Sequence, residues 1–332
     1  MPELGFVVAD SEEPLVVDTY EAYEWVGGKT ISIYDAEGLG LFFDYDSVTP
    51  EQIKQVVRDN DGIGQRFKDL LYWYVDAITA KYPEADLRPL YYNLQTIEVV
   101  ECTTHELLME SLSFDSYGCY KRADNKIYVN KDYEYEPGSW DFQVIIHEFS
   151  HAARIVLRND NGDHLYIQPS SQRMEIPEEA LNSLFAVSLF DYEERDIAYQ
   201  LQSNMFQVLI ECLDGKYVLS DYLNHSLSYF AHVLDQHNGH NNYAMTLFQL
   251  IEEQRTDYFD DRYERDQEVY YPIYHYLCRM YLDRYAPADR DEETINRLVA
   301  ELLEKVTFDV PEGYHIDTDE FYRFASTYER EL

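Results

Sequence analysis

The sequence predicts an α+β protein in which a mixed α+β lobe precedes an all-α lobe. Runs typical of short strands occur only in the first half of the chain, whereas the apolar residues from Pro177 onward follow helical spacing. The composition changes near residue 165, between these two patterns. We therefore expect a first lobe in residues 1–165, with a small mixed sheet, and a helical lobe in residues 166–332.

Individual elements follow from local patterns of apolar, capping and turn-forming residues. In the first lobe the sequence predicts strands at Thr30–Tyr34 and Leu39–Phe43, helices at 50–58 and 64–82, a strand at Thr96–Val100, a short helix at Glu106–Leu112, a β-hairpin at Gly118–Asn130 and a helix from Ser139 that ends at Asn159–Asp163. In the second lobe it predicts helices at about 177–190, 194–213, 219–236, 241–256, 268–284, 291–306 and 318–330.

The composition indicates a folded protein that does not bind polyanions. Hydrophobic residues make up 45% of the 332 residues and aromatic residues 15%, which is sufficient for a sizeable core. The 26 basic and 64 acidic residues give a net charge of −38, which repels phosphate backbones and anionic membrane surfaces. We therefore expect neither nucleic acid nor a membrane as a partner.

The cysteines and the N-terminal residues bear on the compartment. Cys102, Cys119, Cys212 and Cys278 include no C-x-x-C pair, so we expect reduced thiols and not a zinc ribbon or a disulfide scaffold. The chain does not begin with a basic segment followed by an apolar core, and no apolar run is long enough to span a membrane. The prediction is a cytoplasmic protein.

Residues with metal-binding chemistry are concentrated in His147-Glu148-Phe149-Ser150-His151. On a helix, His147 and His151 lie four positions apart on one face, so they can bind one metal ion. Glu148 lies beside them, where it can act on a water bound to that metal. The opposite face is apolar and suited to burial, with Phe142, Ile145, Phe149, Ala152, Ala153 and Val156.

Two other stretches of the sequence contain histidines but lack this motif. His105-Glu106 begins in the same way but lacks the second histidine, and is interpreted as part of an ordinary helix. His232, His237 and His240 form a second cluster, which is interpreted as a solvated helix end near the negative end of its dipole and not as another metal site.

A third ligand is needed, because a catalytic zinc site usually has three protein ligands and one open position. Arg154 occupies the position where His-x-x-Gly-x-x-His requires glycine, so that continuation is absent. His164 follows a polar turn, where a solvated histidine is the simpler interpretation. Glu178 and Glu179 open a helix that is otherwise apolar, and either can be the ligand, although acidic residues in a first turn are also common dipole partners.

The two motifs, His147-Glu148-x-x-His151 and Glu179-Ala180-Leu181-Asn182, resemble those of zincin metallopeptidases of the gluzincin type. The resemblance covers roughly residues 95–190, and the interval between His151 and Glu179 is longer than in the best-known gluzincins. It implies a zincin-like first lobe, zinc as the cofactor, and His147, His151 and Glu179 as its ligands. Asn182 or Ser183 would orient a zinc histidine.

The resemblance also implies a reaction and a mode of substrate binding. Peptide bonds of a peptide or protein substrate would be hydrolysed by a metal-activated water, with Glu148 as general base and Tyr222 or His225 as donor to the oxyanion. Zincins bind substrate along an edge strand that precedes the metal-binding helix. Lys126–Asn130 occupies that place, so the expected substrate-binding residues are Ile127, Tyr128 and Val129.

Two alternative functions remain open from the sequence. Two histidines and one carboxylate are also the ligands of non-haem iron enzymes, although such enzymes do not need Glu148 as a base. The helical lobe, rich in tyrosine, would alternatively suit a non-catalytic interaction protein built on a zincin core.

Overall fold

The computed structural model shows a chain of helices with two β-sheets. It describes residues 4–8, 15–18, 23–26, 29–32, 48–111, 117–121, 125–136, 139–154, 157–158, 164–167, 175–190, 199–224, 227–239, 243–253, 267–287, 291–310, 316 and 318–327. In the strands before residue 48 and in those between 157 and 167 it describes the backbone alone.

Most of the described residues lie in helices, and the rest of the regular structure is β-strand. This agrees with the predicted α+β class. The strands are β1 (Leu4–Val8), β2 (Leu15–Asp18), β3 (Tyr23–Val26), β4 (Lys29–Ser32), β5 (Glu98–Cys102), β6 (Gly118–Lys121), β7 (Lys126–Asn130), β8 (Leu157–Arg158) and β9 (His164–Ile167). The helices are α1 (Pro50–Asp59), α2 (Gln65–Lys81), α3 (Arg88–Leu94), α4 (Thr104–Ser111), α5 (Trp140–Ala152), α6 (Glu175–Ser188), α7 (Gln200–Cys212), α8 (Asp221–Asn224), α9 (Leu227–Asn238), α10 (Tyr243–Glu253), α11 (Gln267–Tyr285), α12 (Glu292–Val306) and α13 (Thr318–Thr327).

The smaller sheet is mixed and has the strand order β5-β7-β6. β5 runs parallel to β7, with Val99 opposite Ile127, and β6 runs antiparallel to β7, with Tyr120 opposite the same residue. The predicted hairpin is therefore confirmed as β6 and β7. Ile127 and Val129 have no exposed surface, so the middle strand of this sheet is anchored in the core.

The larger sheet is antiparallel throughout and has the strand order β4-β3-β2-β1-β9-β8. β4 overlaps the predicted strand at Thr30–Tyr34, which confirms a strand there. The other five strands of this sheet were not predicted from the sequence. The predicted strand at Leu39–Phe43 lies outside the described residues.

The helices predicted after Pro177 are confirmed in the described residues. Within the segment 219–236, predicted as one helix, the structure describes α8 and α9, and residues 225–226 between them lie outside the described residues. Capping residues set some of the observed ends. Asp291, for example, accepts a hydrogen bond at its Oδ1 from the backbone N–H of Thr294 at 2.6 Å and so begins α12.

Helix α2 packs against α5 and keeps one face of α5 in the core. Tyr74 of α2 is fully buried, its ring centroid lies 5.8 Å from that of Phe149, and its hydroxyl donates a hydrogen bond to Ser150 Oγ at 3.1 Å. Ser150 Oγ donates in turn to the carbonyl of Ile146 at 2.8 Å. Burial raises the pKa of the Tyr74 hydroxyl, because a phenolate there would lose its hydration. These contacts fix the rotation of α5 about its axis.

The chain divides into two compact units. One comprises Met1–Ser171, Phe185–Glu194 and Leu219–Ser226, and the other comprises Gln172–Leu184, Arg195–Val218 and Leu227–Leu332. Helix α6 contributes residues to both units. The lobe boundary expected between residues 165 and 166 remains a prediction.

The cysteines are present as thiols, as expected. Cys102, Cys212 and Cys278 are buried, and Cys119 is half-buried. None of the described helices combines the length and the apolar character that crossing a membrane requires.

Candidate metal centre

Helix α5, which carries both histidines, has well-defined ends. Ser139 caps its start as predicted, since Ser139 Oγ accepts a hydrogen bond from the backbone N–H of Phe142 at 3.1 Å. At its end, Asn93 Nδ2 donates to the carbonyl of Ala152 at 2.6 Å and so satisfies a carbonyl that the helix terminus leaves without an intrahelical partner. The helix therefore ends at Ala152, and the predicted extension to Asn159 is wrong.

The predicted division of α5 into two faces is confirmed. The apolar face is buried, with Phe142, Ile145, Phe149, Ala152 and Ala153 each at most 1% exposed. Val156 lies outside the described residues. Because the apolar face is held in the core, His147, Glu148 and His151 are directed to the other side of the helix.

The two histidines of α5 converge. Nε2 of His147 lies 3.1 Å from Nε2 of His151, and the two ring planes meet at 82°. Two nitrogens bound to one tetrahedral zinc ion at the usual bond length lie about 3.3 Å apart. The observed separation is close to that value, so the pair is suited to bind one shared ion.

Glu179 of α6 completes a group of three ligands. One ligand atom from each of His147, His151 and Glu179 lies within 4.8 Å of the other two, and His151 is buried while the others are half-buried. This group can hold a metal ion, and no second group of this kind occurs in the part of the chain that the structure describes. Of the two glutamates left open by the sequence, Glu179 and not Glu178 belongs to it.

Hydrogen bonds hold the backbone of α6 on either side of Glu179. The backbone N–H of Ile176 donates to Glu252 Oε2 at 2.7 Å, and the carbonyl of Ala180 accepts a hydrogen bond from Ser203 Oγ at 3.1 Å. Asn182 and Ser183 follow three and four positions after Glu179 and are buried. Their expected role in orienting a zinc histidine remains a prediction.

Glu148 lies beside the ligand group and is only 6% exposed. Strand β6 passes directly over it: a Cβ atom built on Gly118 would lie 3.0 Å from Glu148 Cγ, 3.2 Å from Glu148 Oε1 and 3.0 Å from Val144 Cγ1. Any side chain at position 118 would therefore press on the carboxylate. This role of Gly118 was not predicted, although a glycine in a strand often marks a close approach of another group.

Arg154, which follows α5, is buried against an aromatic ring. Its guanidinium carbon lies 4.2 Å from the centroid of Tyr222, and Tyr222 in turn lies 5.9 Å from Phe185. Arg154 is 6% exposed and Tyr222 is 1% exposed. The Tyr222 ring thus packs in the core under a cation. Its role as oxyanion donor remains a prediction, and the alternative donor, His225, lies outside the described residues.

Strand β7 is the middle strand of its sheet, so the prediction that it offers an edge to substrate is wrong. Its backbone pairs with β5 on one side and with β6 on the other, and two of its expected substrate-binding residues, Ile127 and Val129, are buried, while Tyr128 is half-buried. The hairpin pattern in the sequence predicted that β7 pairs with β6. It could not predict that β7 also pairs with β5, which lies outside the hairpin. Among the described strands of this sheet, the edges are β5 and β6, and β6 is the one that contacts α5.

Glu106 and His237, which the sequence places outside the metal site, have partners of their own in the structure. Glu106 forms a capping box at α4: its Oε2 accepts from the backbone N–H of Thr103 at 2.8 Å, and its own N–H donates to Thr103 Oγ1 at 3.2 Å. These hydrogen bonds lower the pKa of Glu106. His237 lies in the last turn of α9, where burial and the nearby Lys216 ammonium lower its pKa. His240 lies outside the described residues.

Comparison of the chain with protein-family models, with curated proteins and with solved structures gives no match. The chemistry of the site is therefore inferred from the positions of its own residues.

Proposed function

We propose that the protein is a zinc-dependent metallopeptidase whose first lobe is zincin-like. The observation that carries this proposal is the convergence of His147, His151 and Glu179, with Glu148 next to His147 on the same helix. Two imidazoles and one carboxylate are a common donor set for catalytic zinc, and three protein ligands leave one tetrahedral position for water. The order of hairpin, histidine helix and acidic helix supports a gluzincin-like arrangement.

The residues around the ligands have distinct roles in this proposal. When bound, zinc would lower the pKa of a water toward neutrality and polarise the carbonyl of the scissile bond. Glu148 takes the proton from the attacking water and passes it to the leaving amine. Glu148 is not one of the three ligands, and its burial under β6 holds it in one place for both transfers.

The substrate would lie next to strand β6, because Gly118 of β6 lies against Glu148. An extended peptide that passes the general base would therefore run close to β6. Side chains near β6 would then contact the substrate and set the sequence preference.

A non-haem iron enzyme is the second candidate, because the same donor set also binds ferrous iron. Burial of Glu148 beside the ligands favours hydrolysis over this alternative, since oxygen activation at iron does not need a base at that position. A non-catalytic interaction protein would likewise gain nothing from a buried carboxylate held under a glycine.

The proposed function is tested by cleavage of a mixed peptide library by the zinc-loaded protein, followed by mass spectrometry. We expect cleavage that a chelator abolishes and that Glu148→Gln reduces by at least about 100-fold, with zinc still bound. Glu106→Gln is the matched control, because it changes the glutamate of the other His-Glu pair. A glutamine at this position can still accept the capping hydrogen bond from the Thr103 backbone N–H. An absence of cleavage by the zinc-loaded protein, or full activity of Glu148→Gln, would overturn the proposal. Oxygen-dependent turnover with iron would favour the second candidate.

A further inference from the structure

Three aromatic side chains lie together at the start of α5 and have no role in the chemistry described above. Tyr117 precedes β6, Tyr133 follows β7, and Trp140 is the first residue of α5. Ring centroids are 4.1 Å apart for Tyr117 and Trp140, 6.3 Å for Tyr133 and Trp140, and 6.2 Å for Tyr117 and Tyr133. The two tyrosine rings are within 27° of parallel, and the indole is nearly perpendicular to both. We call these three residues the aromatic cluster.

The aromatic cluster is accessible to a ligand. Tyr117 is 43% exposed, which is high for a large aromatic residue, and Tyr133 and Trp140 are half-buried. Rings that were needed only for the core would be covered, as the Tyr74 ring is. The cluster therefore offers aromatic surface to the solvent at one end of β6.

The aromatic cluster lies in line with the candidate metal centre. Trp140, Val144, His147 and His151 are separated by four, three and four positions, so they share one face of α5. Trp140 precedes His147 by seven positions, which corresponds to about 10 Å along the helix axis. An extended peptide advances about 3.3 Å per residue, so this distance corresponds to about three residues of an extended substrate.

The charges around the aromatic cluster favour a cation. Burial, Tyr117 and Asp141, in that order, raise the pKa of the Tyr133 hydroxyl, and of these Asp141 carries a negative charge at neutral pH. The protein itself places a guanidinium on the neighbouring ring: Arg66 lies 5.2 Å from the centroid of Tyr135, and Tyr135 lies 6.0 Å from Tyr133. Arg66 also donates a hydrogen bond to the Tyr133 carbonyl at 3.2 Å, and its charge is balanced by an ion pair with Glu101. Aromatic faces attract cations, and the net charge of −38 reinforces this attraction.

We infer that the aromatic cluster binds a lysine or arginine side chain of the substrate, about three residues from the bond that is cleaved. This inference rests on the proposed peptidase function and adds a substrate class to it. A peptide bound at the metal centre would reach the cluster, and the cluster would select which peptides are held in register.

The inference is tested by a binding experiment that needs no turnover. The zinc-loaded full chain carrying Glu148→Gln is immobilised and incubated with an equimolar positional-scanning library of acetylated and amidated decapeptides, and retained peptides are quantified by mass spectrometry. We expect lysine and arginine to be enriched over methionine at one position by about two-fold to five-fold, the range of a partly exposed cation–π contact. Methionine serves as the uncharged side chain of similar length.

Substitutions at Tyr117 make the test specific to the aromatic cluster. In the same background, Tyr117→Leu should bring the ratio of lysine to methionine close to one, whereas Tyr117→Phe keeps the ring and should keep the ratio. Tyr322→Leu removes another exposed tyrosine, on α13, and is the matched control. Tyr117 is exposed, so its substitution is expected to leave the fold intact, and circular dichroism checks this.

Each outcome of the experiment decides the inference. Equal retention of lysine and methionine, a preference for apolar side chains, or a lysine preference that persists in Tyr117→Leu would overturn it. Failure of the peptidase proposal is seen separately, as an absence of Glu148-dependent cleavage. If cleavage is absent but lysine is still enriched in a Tyr117-dependent way, the protein binds peptides through a site for cationic residues and is not a peptidase.

Discussion

Gly118 and Glu148 lie so close together that position 118 tolerates no side chain without movement. A Cβ atom on Gly118 would be 3.0 Å from Glu148 Cγ and 3.2 Å from Glu148 Oε1, shorter than ordinary van der Waals contact. The edge strand of the small sheet and the expected general base are thus fitted to each other. The close contact places β6 directly against the carboxylate that would act on the attacking water.

Gly118→Ala is therefore expected to impair catalysis and to spare metal binding. The added methyl group would shift the Glu148 carboxylate or β6 by a few tenths of an ångström or more, and misplacement of a catalytic group by about 1 Å costs roughly 100-fold in rate. We expect kcat/KM for a cleaved peptide to fall by about 10-fold to 100-fold, with one zinc still bound per chain.

Gly64→Ala is the matched control for this substitution. A Cβ atom on Gly64 would meet Phe67 Cδ2 at 3.6 Å, an ordinary contact distance, so that variant should retain wild-type kcat/KM. Wild-type activity of Gly118→Ala would show that the contact has no catalytic consequence.

The hydrogen bonds that join α2 to α5 predict an order of stabilities. Ser150→Ala removes the acceptor of the buried Tyr74 hydroxyl and should lower the free energy of unfolding by about 1–3 kcal/mol. Tyr74→Phe leaves Ser150 Oγ bonded to the Ile146 carbonyl and should cost less, about 0.5–1.5 kcal/mol. Urea unfolding of the two variants measures this order, and a more severe loss in Tyr74→Phe would contradict it.

Burial of Tyr74 also predicts a loss of stability at alkaline pH. The pKa of Tyr74 is raised in the folded protein, so its contribution to stability is complete below the unfolded value near pH 10 and declines as the pH rises above it. Each pH unit above about 10 should remove about 1.4 kcal/mol through this residue. Unfolding measurements should show a shallower decline in Tyr74→Phe than in the wild type. Tyr322→Phe, at an exposed position, should decline as the wild type does, and equal slopes in all three proteins would refute this account.

The parts of the structure predicted correctly from the sequence depend on neighbours along the chain. Spacing of four positions places His147 and His151 on one face of a helix, whatever surrounds that helix. The turn between β6 and β7 and the cap at Ser139 are equally local. Glu179 was chosen over Glu178 by resemblance, and the structure places it with the two histidines.

The parts that were missed depend on contacts between distant segments. The sequence predicts β7 as an edge strand because its second partner, β5, is separated from it by α4 and β6 in the sequence. The end of α5 is set by Asn93 on α3, which no pattern within α5 could indicate. Gly118 lies thirty positions before Glu148, and only the packing of β6 on α5 shows that the two meet.

The central claim is that His147, His151 and Glu179 bind one zinc ion. It is tested most directly by purifying the protein in metal-free buffers, titrating it with zinc and measuring the zinc that is bound. We predict one zinc per chain for the wild type and for Glu178→Gln, and a zinc affinity lowered by more than about 100-fold for Glu179→Gln and for His147→Ala. Glu178→Gln is the matched control, since it changes the adjacent carboxylate that lies outside the ligand group. A wild-type protein that binds no zinc, or a Glu179→Gln variant that binds it as tightly as the wild type, would contradict the proposed metal centre.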